Sequence, residues 1–344
     1  MMILPVVLVG AAVLLLATTV RSAKAPAEKL SDYGLFTGRL SDLVPAAGVL
    51  PYALNTPLFS DYAEKLRFVR LPRGAVVPFN DSAVLDFPEG TVLVKNFYYP
   101  KDFRKPTGPR EIIETRILLR DAQGWKALPY IWNREQTEAY LDVAGETREV
   151  SYTDASGKNR RHRYEVPNMN QCKGCHNYRE AMVPIGPSAR QLNGMLDYGQ
   201  GPENQLEHWA SLGLIAALPA AAERPRGVRW DDPATGDLDD RARAWLDINC
   251  GHCHREGGPA STSGLYLTIH EKNPLHLGVG KTPVAAGRGS GNLQYSIEPG
   301  QPDKSILLYR ITSTDPGVMM PELGRSLTHQ EGVALVREWI RQMH

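Results

Sequence analysis

The chain has 344 residues, enough for two or three domains and a sizeable core. Its 39 basic and 38 acidic residues nearly cancel, so nothing points to a nucleic-acid partner or a broad electrostatic steering field. The 31 glycines and 26 prolines favour loop-rich or β-rich structure over a helical bundle.

Residues 3–20 form an uncharged, mostly apolar run, followed by small residues around Ser22, Ala23 and Ala25 that suit a cleavage site. This reads as an export signal. No Lys or Arg precedes the run, and its 18 residues are long for a signal peptide and borderline for a membrane span, so a retained anchor is the alternative. Either reading places residue 25 onward in the periplasm or at the cell exterior.

From 25 to 50 the polarity is mixed, with Ser41-Asp42 a helix cap before Leu43 and Val44. Residues 51–62 are rich in prolines and aromatics, which rules out a long helix and suggests an ordered, packed loop. Residues 65–166 read as β-structure of six to nine antiparallel strands, in a sandwich or open barrel. The run 91–99 is β-branched and aromatic, 113–119 alternates in part, Asp121-Ala122-Gln123-Gly124 turns the chain into 125–132, and Asp154-Ala155-Ser156-Gly157 marks a hairpin. The cluster Lys158, Arg160, Arg161, Arg163 is a solvated hairpin tip.

After Val166-Pro167 comes Gln171-Cys172-Lys173-Gly174-Cys175-His176, and further on Asn249-Cys250-Gly251-His252-Cys253-His254. Each holds C-x-x-C-H, the signature of c-type heme attachment. Positions i and i+3 share a helix face, so each thiol meets one heme vinyl group and the next histidine supplies an axial nitrogen. The two motifs use all four cysteines, Cys172, Cys175, Cys250 and Cys253, with His176 and His254 as proximal ligands. Zinc is disfavoured because ribbons separate their pairs by about 15–20 residues, whereas residues 176–249 lie between these. A thioredoxin-like redox pair at 250–253 needs a strand before it, and 239–248 reads as helix. Two structural disulfides are the third alternative. His252 is expected to point away from the heme on its helix, exposed.

Between the motifs, 188–196 and 203–214 read as short helices and 219–225 as an Ala/Pro-rich linker. The segment 230–344 has the layout of a small cytochrome c domain. Asp237 or Asp239 caps a helix carrying Leu238, Ala242, Trp245, Leu246 and Cys250. Thr328-His329-Gln330-Glu331 reads as a capping box before the stripe Val333, Val336, Ile340, Met343, with Trp339 beside it. The middle, 255–318, is long and partly β, and its Gly287, Gly289 and Gly291 follow no strand-into-helix pattern, so no nucleotide fingerprint is present. Met320, before Pro321 and one loop ahead of the last helix, is the expected distal ligand of the second heme, with Met319 the alternative. For the first heme, Met169, Met182, Met195, His208 and an open position all remain.

The stretches 54–63, 87–95, 171–176 and 320–325 resemble a family of uncharacterised bacterial diheme c-type cytochromes, with a β-rich N-terminal region and both hemes in the C-terminal half. The resemblance implies two covalent heme c groups, export and electron transfer without an established substrate. The expected fold is α+β: a signal peptide or anchor at 1–24, a β-rich domain at 25–166, a first heme segment at 167–228 and a class I cytochrome c-like domain at 229–344. The expected function is electron transfer between unidentified redox protein partners, with possible anchoring through the N-terminus. The alternatives are a diheme peroxidase-like enzyme with an open position on the first heme, or a heme-linked sensor using the β-domain.

Overall fold

The computed structural model describes residues 25–344, so the run at 3–20 and the export signal read from it lie outside the described residues. Among the described residues no helix is long and apolar enough to cross a membrane.

The fold mixes helix and strand and segregates them along the chain. Six strands, β1 (Val49–Tyr52), β2 (Glu64–Arg70), β3 (Val92–Pro100), β4 (Arg110–Asp121), β5 (Gly124–Trp132) and β6 (Ala139–Leu141), form one antiparallel meander in that order. A separate hairpin, β7 (Glu146–Thr153) and β8 (Asn159–Val166), follows. Helices come after: α1 (Met169–His176), α2 (Ala189–Leu192), α3 (Gln205–Ser211), α4 (Leu238–Leu246), α5 (Ile306–Thr312) and α6 (Gln330–Arg341).

Side chains of a strand alternate between faces. On one face Phe68, Val92, Val94, Ile117, Leu128, Tyr130 and Trp132 pack with Leu30, Leu35 and Leu43 from the N-terminal loops. The other face carries two separate apolar clusters. At one end Val69 and Leu93 meet Phe87, Leu206 and Trp209. At the other, Phe97, Tyr99, Ile113 and Ile131 lie under Val150, Tyr152 and Tyr164 of the hairpin. The hairpin therefore covers only part of one face. The sheet is open, and no closed barrel or second full sheet is formed among the described residues.

In the C-terminal part, α4, α5 and α6 share a core of Ala242, Trp245, Leu246, Leu307, Leu308, Ile311, Val336 and Ile340. Helices α4 and α6 come close at Gly332, where a Cβ would lie 2.4 Å from Trp245 Nε1. Asp237 caps α4, accepting from the Asp240 amide at 2.8 Å.

Three local expectations fail for identifiable reasons. The chain at Ser41-Asp42 makes a single 3-10 turn, Leu40–Asp42, closed by Leu43 at φ 55°, rather than a capped helix. The capping box ahead of α6 does not form, because tertiary partners take both side chains: Thr328 donates to the Thr312 carbonyl at 3.1 Å, and Glu331 accepts from the Tyr62 hydroxyl at 2.9 Å. The middle of the C-terminal part holds isolated bridges such as Val279–Ile297 rather than strands, and contains helix α5, which the sequence reading did not resolve.

The loop 53–63 ties the first half to the last. Thr56 Oγ1 donates to the Val228 carbonyl at 2.8 Å, and the Phe59 amide donates to Asn249 Oδ1 at 2.9 Å. The Asp61 carboxylate accepts from the amides of Ser326 and Leu327 and from the Ser326 hydroxyl, at 2.8–2.9 Å. Thr56, Ser60 and Asp61 are all buried.

Candidate functional site

Helix α1 is short, and its N-terminus is held by a reciprocal cap. Asn168 accepts from the Gln171 amide and Gln171 accepts from the Asn168 amide, both at 2.8 Å. Cys172 and Cys175 sit one turn apart on this helix, and His176 ends it. His176 Nδ1 lies 2.7 Å from the Val183 carbonyl oxygen. A carbonyl only accepts, so Nδ1 carries the proton and Nε2 keeps its lone pair. Burial pushes the His176 pKa down to about 4, which leaves the ring neutral.

These three residues line a cavity whose empty space, open mouth included, is about 1430 Å³. The floor is the sheet face between the two apolar clusters. There Arg67 stands opposite Lys95, Lys95 opposite Arg116, and Arg116 opposite Pro129, in register across β2, β3, β4 and β5. Directly opposed like charges are destabilising. Arg116 is neutralised by the buried Glu114, with Nη2 at 2.5 Å and Nε at 2.8 Å, and Glu114 also accepts from the Tyr164 hydroxyl at 2.7 Å. Arg67 is 7% exposed, and its Nη2 has no hydrogen-bond partner among the described residues. Lys95 sits over the Phe97 ring at 4.8 Å. Burial, then the neighbouring Arg67 and Arg116, hold its pKa well below the ordinary lysine value. An orphaned guanidinium beside a buried, unpaired lysine amine, facing a cavity, is an arrangement that receives an anionic group.

The second motif begins at the end of a π-helical turn, Asp247–Gly251, that continues α4 and holds Cys250, while His252, Cys253 and His254 follow it. Cys250, Cys253 and His254 line another cavity, with about 1510 Å³ of empty space on the same measure. His254 Nδ1 faces Ser263 Oγ at 3.4 Å. The serine hydroxyl donates to the Ala260 carbonyl at 2.7 Å, so it accepts from His254, whose Nε2 again keeps its lone pair. Met320 lines this cavity, on a loop pinned by Arg325, which donates to the Met320 carbonyl at 2.8 Å. Met319 is buried and lines neither cavity.

All four cysteines are free thiols, and burial pushes Cys250 and Cys253 up to about 12, the reverse of an activated redox pair. Among the described residues no three His, Cys, Asp or Glu side chains gather to hold a metal ion.

None of the four side chains considered as distal partners of the first site lines its cavity. Met169 packs against the core on the far face of the sheet, and Met195 is 63% exposed. Met182 pairs with Asn177 in a two-residue ladder. His208 stacks on Tyr198 at 3.6 Å between ring centroids, with Nδ1 at 2.6 Å from Glu203.

His252 is not exposed. It lines both cavities, with Nδ1 at 3.3 Å from the Ile248 carbonyl, and burial, then nearby His176, push its pKa down to about 3. The expectation assumed a regular helix. A π turn adds a residue, which rotates the residues after it by about 100°, one helical step. Sequence reasoning also missed the row Arg67, Lys95, Arg116. Its signal was a lysine inside the run Val92-Leu93-Val94-Lys95-Asn96-Phe97, where a charge has no solvent face to take.

No family model matches this chain, and neither a curated protein nor a solved structure matches it.

Proposed function

We propose that the chain is an exported diheme c-type cytochrome that passes electrons between redox protein partners. The observation that carries this reading is the repeated donor set. Each cavity is bounded by two thiols three residues apart and by a following histidine whose Nδ1 is engaged and whose Nε2 is free. Heme bound there supplies a one-electron couple.

The chain's own residues have separable roles. Cys172 and Cys175, and Cys250 and Cys253, would form the thioethers, and His176 and His254 the proximal bonds. Met320, which lines the second cavity, would supply the sulfur ligand there, and the C-terminal part is read as a class I cytochrome c-like domain. The unpaired Arg67 and Lys95 suit heme carboxylates at the first site, and Arg116, already held by Glu114, fixes the end of that row. Cys175, Asn249, His252 and Met320 line both cavities, so the two groups would share a wall. Such closeness suits transfer within the chain.

Mature protein from a heme-maturing host should carry two hemes that survive acid–acetone extraction, read by intact mass. A gain of one heme, or none, would sink the proposal.

A further inference from the structure

The first cavity leaves one question that the donor pattern does not answer: what stands across from His176. Apart from the first motif's own residues, and from Tyr52, whose phenol is kept protonated by burial that pushes its pKa up to about 12, four side chains lining it bear a lone pair that heme iron accepts: Lys95, His252, Met320 and His329. His329 is already committed. Its Nδ1 accepts from Trp245 Nε1–H at 2.9 Å, so the neutral ring carries its proton on Nε2. It is also clamped flat on Phe59, 4.4 Å between ring centroids and 9° from parallel. Met320 lines the second cavity too, beside His254. Lys95 stands on the strand-borne wall, opposite Arg67 and Arg116 and over the Phe97 ring at 4.8 Å.

His252 has the same hydrogen-bonding pattern as His176. Its Nδ1 faces a main-chain carbonyl, so the lone pair is on Nε2. It comes from the turn after α4, a different element from α1, which carries His176. Both rings line the first cavity.

Resting on the diheme reading, we propose that His252 is the second axial ligand of the first heme, giving that site two histidines while the second has histidine and methionine. The residue lies inside the second C-x-x-C-H motif, next to Cys253. One peptide unit would then connect an iron ligand of the first site to a thioether residue of the second. It also makes the two sites chemically unequal: nitrogen ligation on both faces lowers a potential relative to nitrogen and thioether sulfur.

The test uses full-length mature protein loaded with both hemes, as wild type, His252→Ala, His252→Met and Lys95→Met. Intact mass counts hemes in each, and electron paramagnetic resonance, visible spectra and a redox titration read the ligation. Wild type should show two low-spin hemes with separate midpoints. His252→Ala should turn one heme high-spin, reversed by free imidazole, while the second heme keeps its sulfur charge-transfer band. Should His252→Ala not accumulate, His252→Met keeps the question open to measurement: it should stay low-spin and raise the lower midpoint. Two hemes by mass with unchanged spin states and midpoints in both His252 variants would overturn the proposal. So would a high-spin heme in wild type, or a spin change in Lys95→Met with none in His252→Ala. Fewer than two hemes in wild type would instead remove the diheme reading itself.

Discussion

Glu114 is the one acid in the row of cations beneath the first cavity, and its removal has a calculable cost. Its side chain is fully buried, and both carboxylate oxygens accept from one edge of the Arg116 guanidinium, Nη2 at 2.5 Å and Nε at 2.8 Å. Glu114→Gln keeps the shape and can still accept from Tyr164. It leaves Arg116 beside Arg67 and Lys95 without its counter-charge. Breaking one partner of a buried pair costs about 3–5 kcal/mol. Arg116 is 24% exposed, so water recovers part of this, and a loss of about 2–4 kcal/mol is expected. That is a large share of the roughly 5–15 kcal/mol that holds a native protein together. Urea unfolding followed by far-UV circular dichroism measures it. The double variant Glu114→Gln with Arg116→Met removes the stranded charge along with its partner, and should recover at least half of the loss. A cost below about 1 kcal/mol for Glu114→Gln, or strict additivity in the double variant, would refute the claim that Glu114 neutralises a cation that the fold otherwise cannot hold.

Two further outcomes are expected. If the chain carries two hemes as proposed, Met320→Ala should abolish a sulfur-to-iron band of the heme at the second motif and lower its midpoint while leaving both hemes attached; an unchanged band, read by visible and near-infrared absorption, would mean that another group ligates it. Gly332→Ala would place a Cβ 2.4 Å from Trp245 Nε1 and 2.6 Å from His329 Nδ1. Overpacking should outweigh the alanine's better helix propensity, for a net loss of about 1–2 kcal/mol in urea unfolding. Stability equal to wild type would show that α4 and α6 have room to part.

What could be read from the residues was whatever has a short period or a fixed spacing. The strands at 91–99 and 125–132 announced themselves by β-branched and aromatic content, and the stripe Val333, Val336, Ile340 by helical spacing. The thiols and histidines of both motifs were legible because the chemistry dictates their spacing. Arg67, Lys95 and Arg116 were not, because each comes from a different strand and only the register β2–β3–β4 makes them neighbours. His252 was misread because a regular helix was assumed where the chain inserts a π turn. Helix α5, Ile306–Thr312, is too short for its periodicity to stand out.

The loop 53–63 changes how the two halves should be regarded. Taken from the sequence, the β-region and the C-terminal segment are successive units, and deleting the first should disturb only the first heme. The contacts argue otherwise. Asp61 satisfies the amides of Ser326 and Leu327, just ahead of α6, and Phe59 stacks on His329, whose ring accepts from Trp245 in the core of α4 and α6. Removing residues 25–150 would strip the buried Asp61 from those amides and uncover the aromatic cluster, so the second cavity's framework would lose partners together with the first. A truncation that disturbs both sites is therefore the expected result, whether or not the two hemes divide the labour. Substitutions confined to the sheet face, at Arg67 or Lys95, can separate them, because those side chains line the first cavity and not the second.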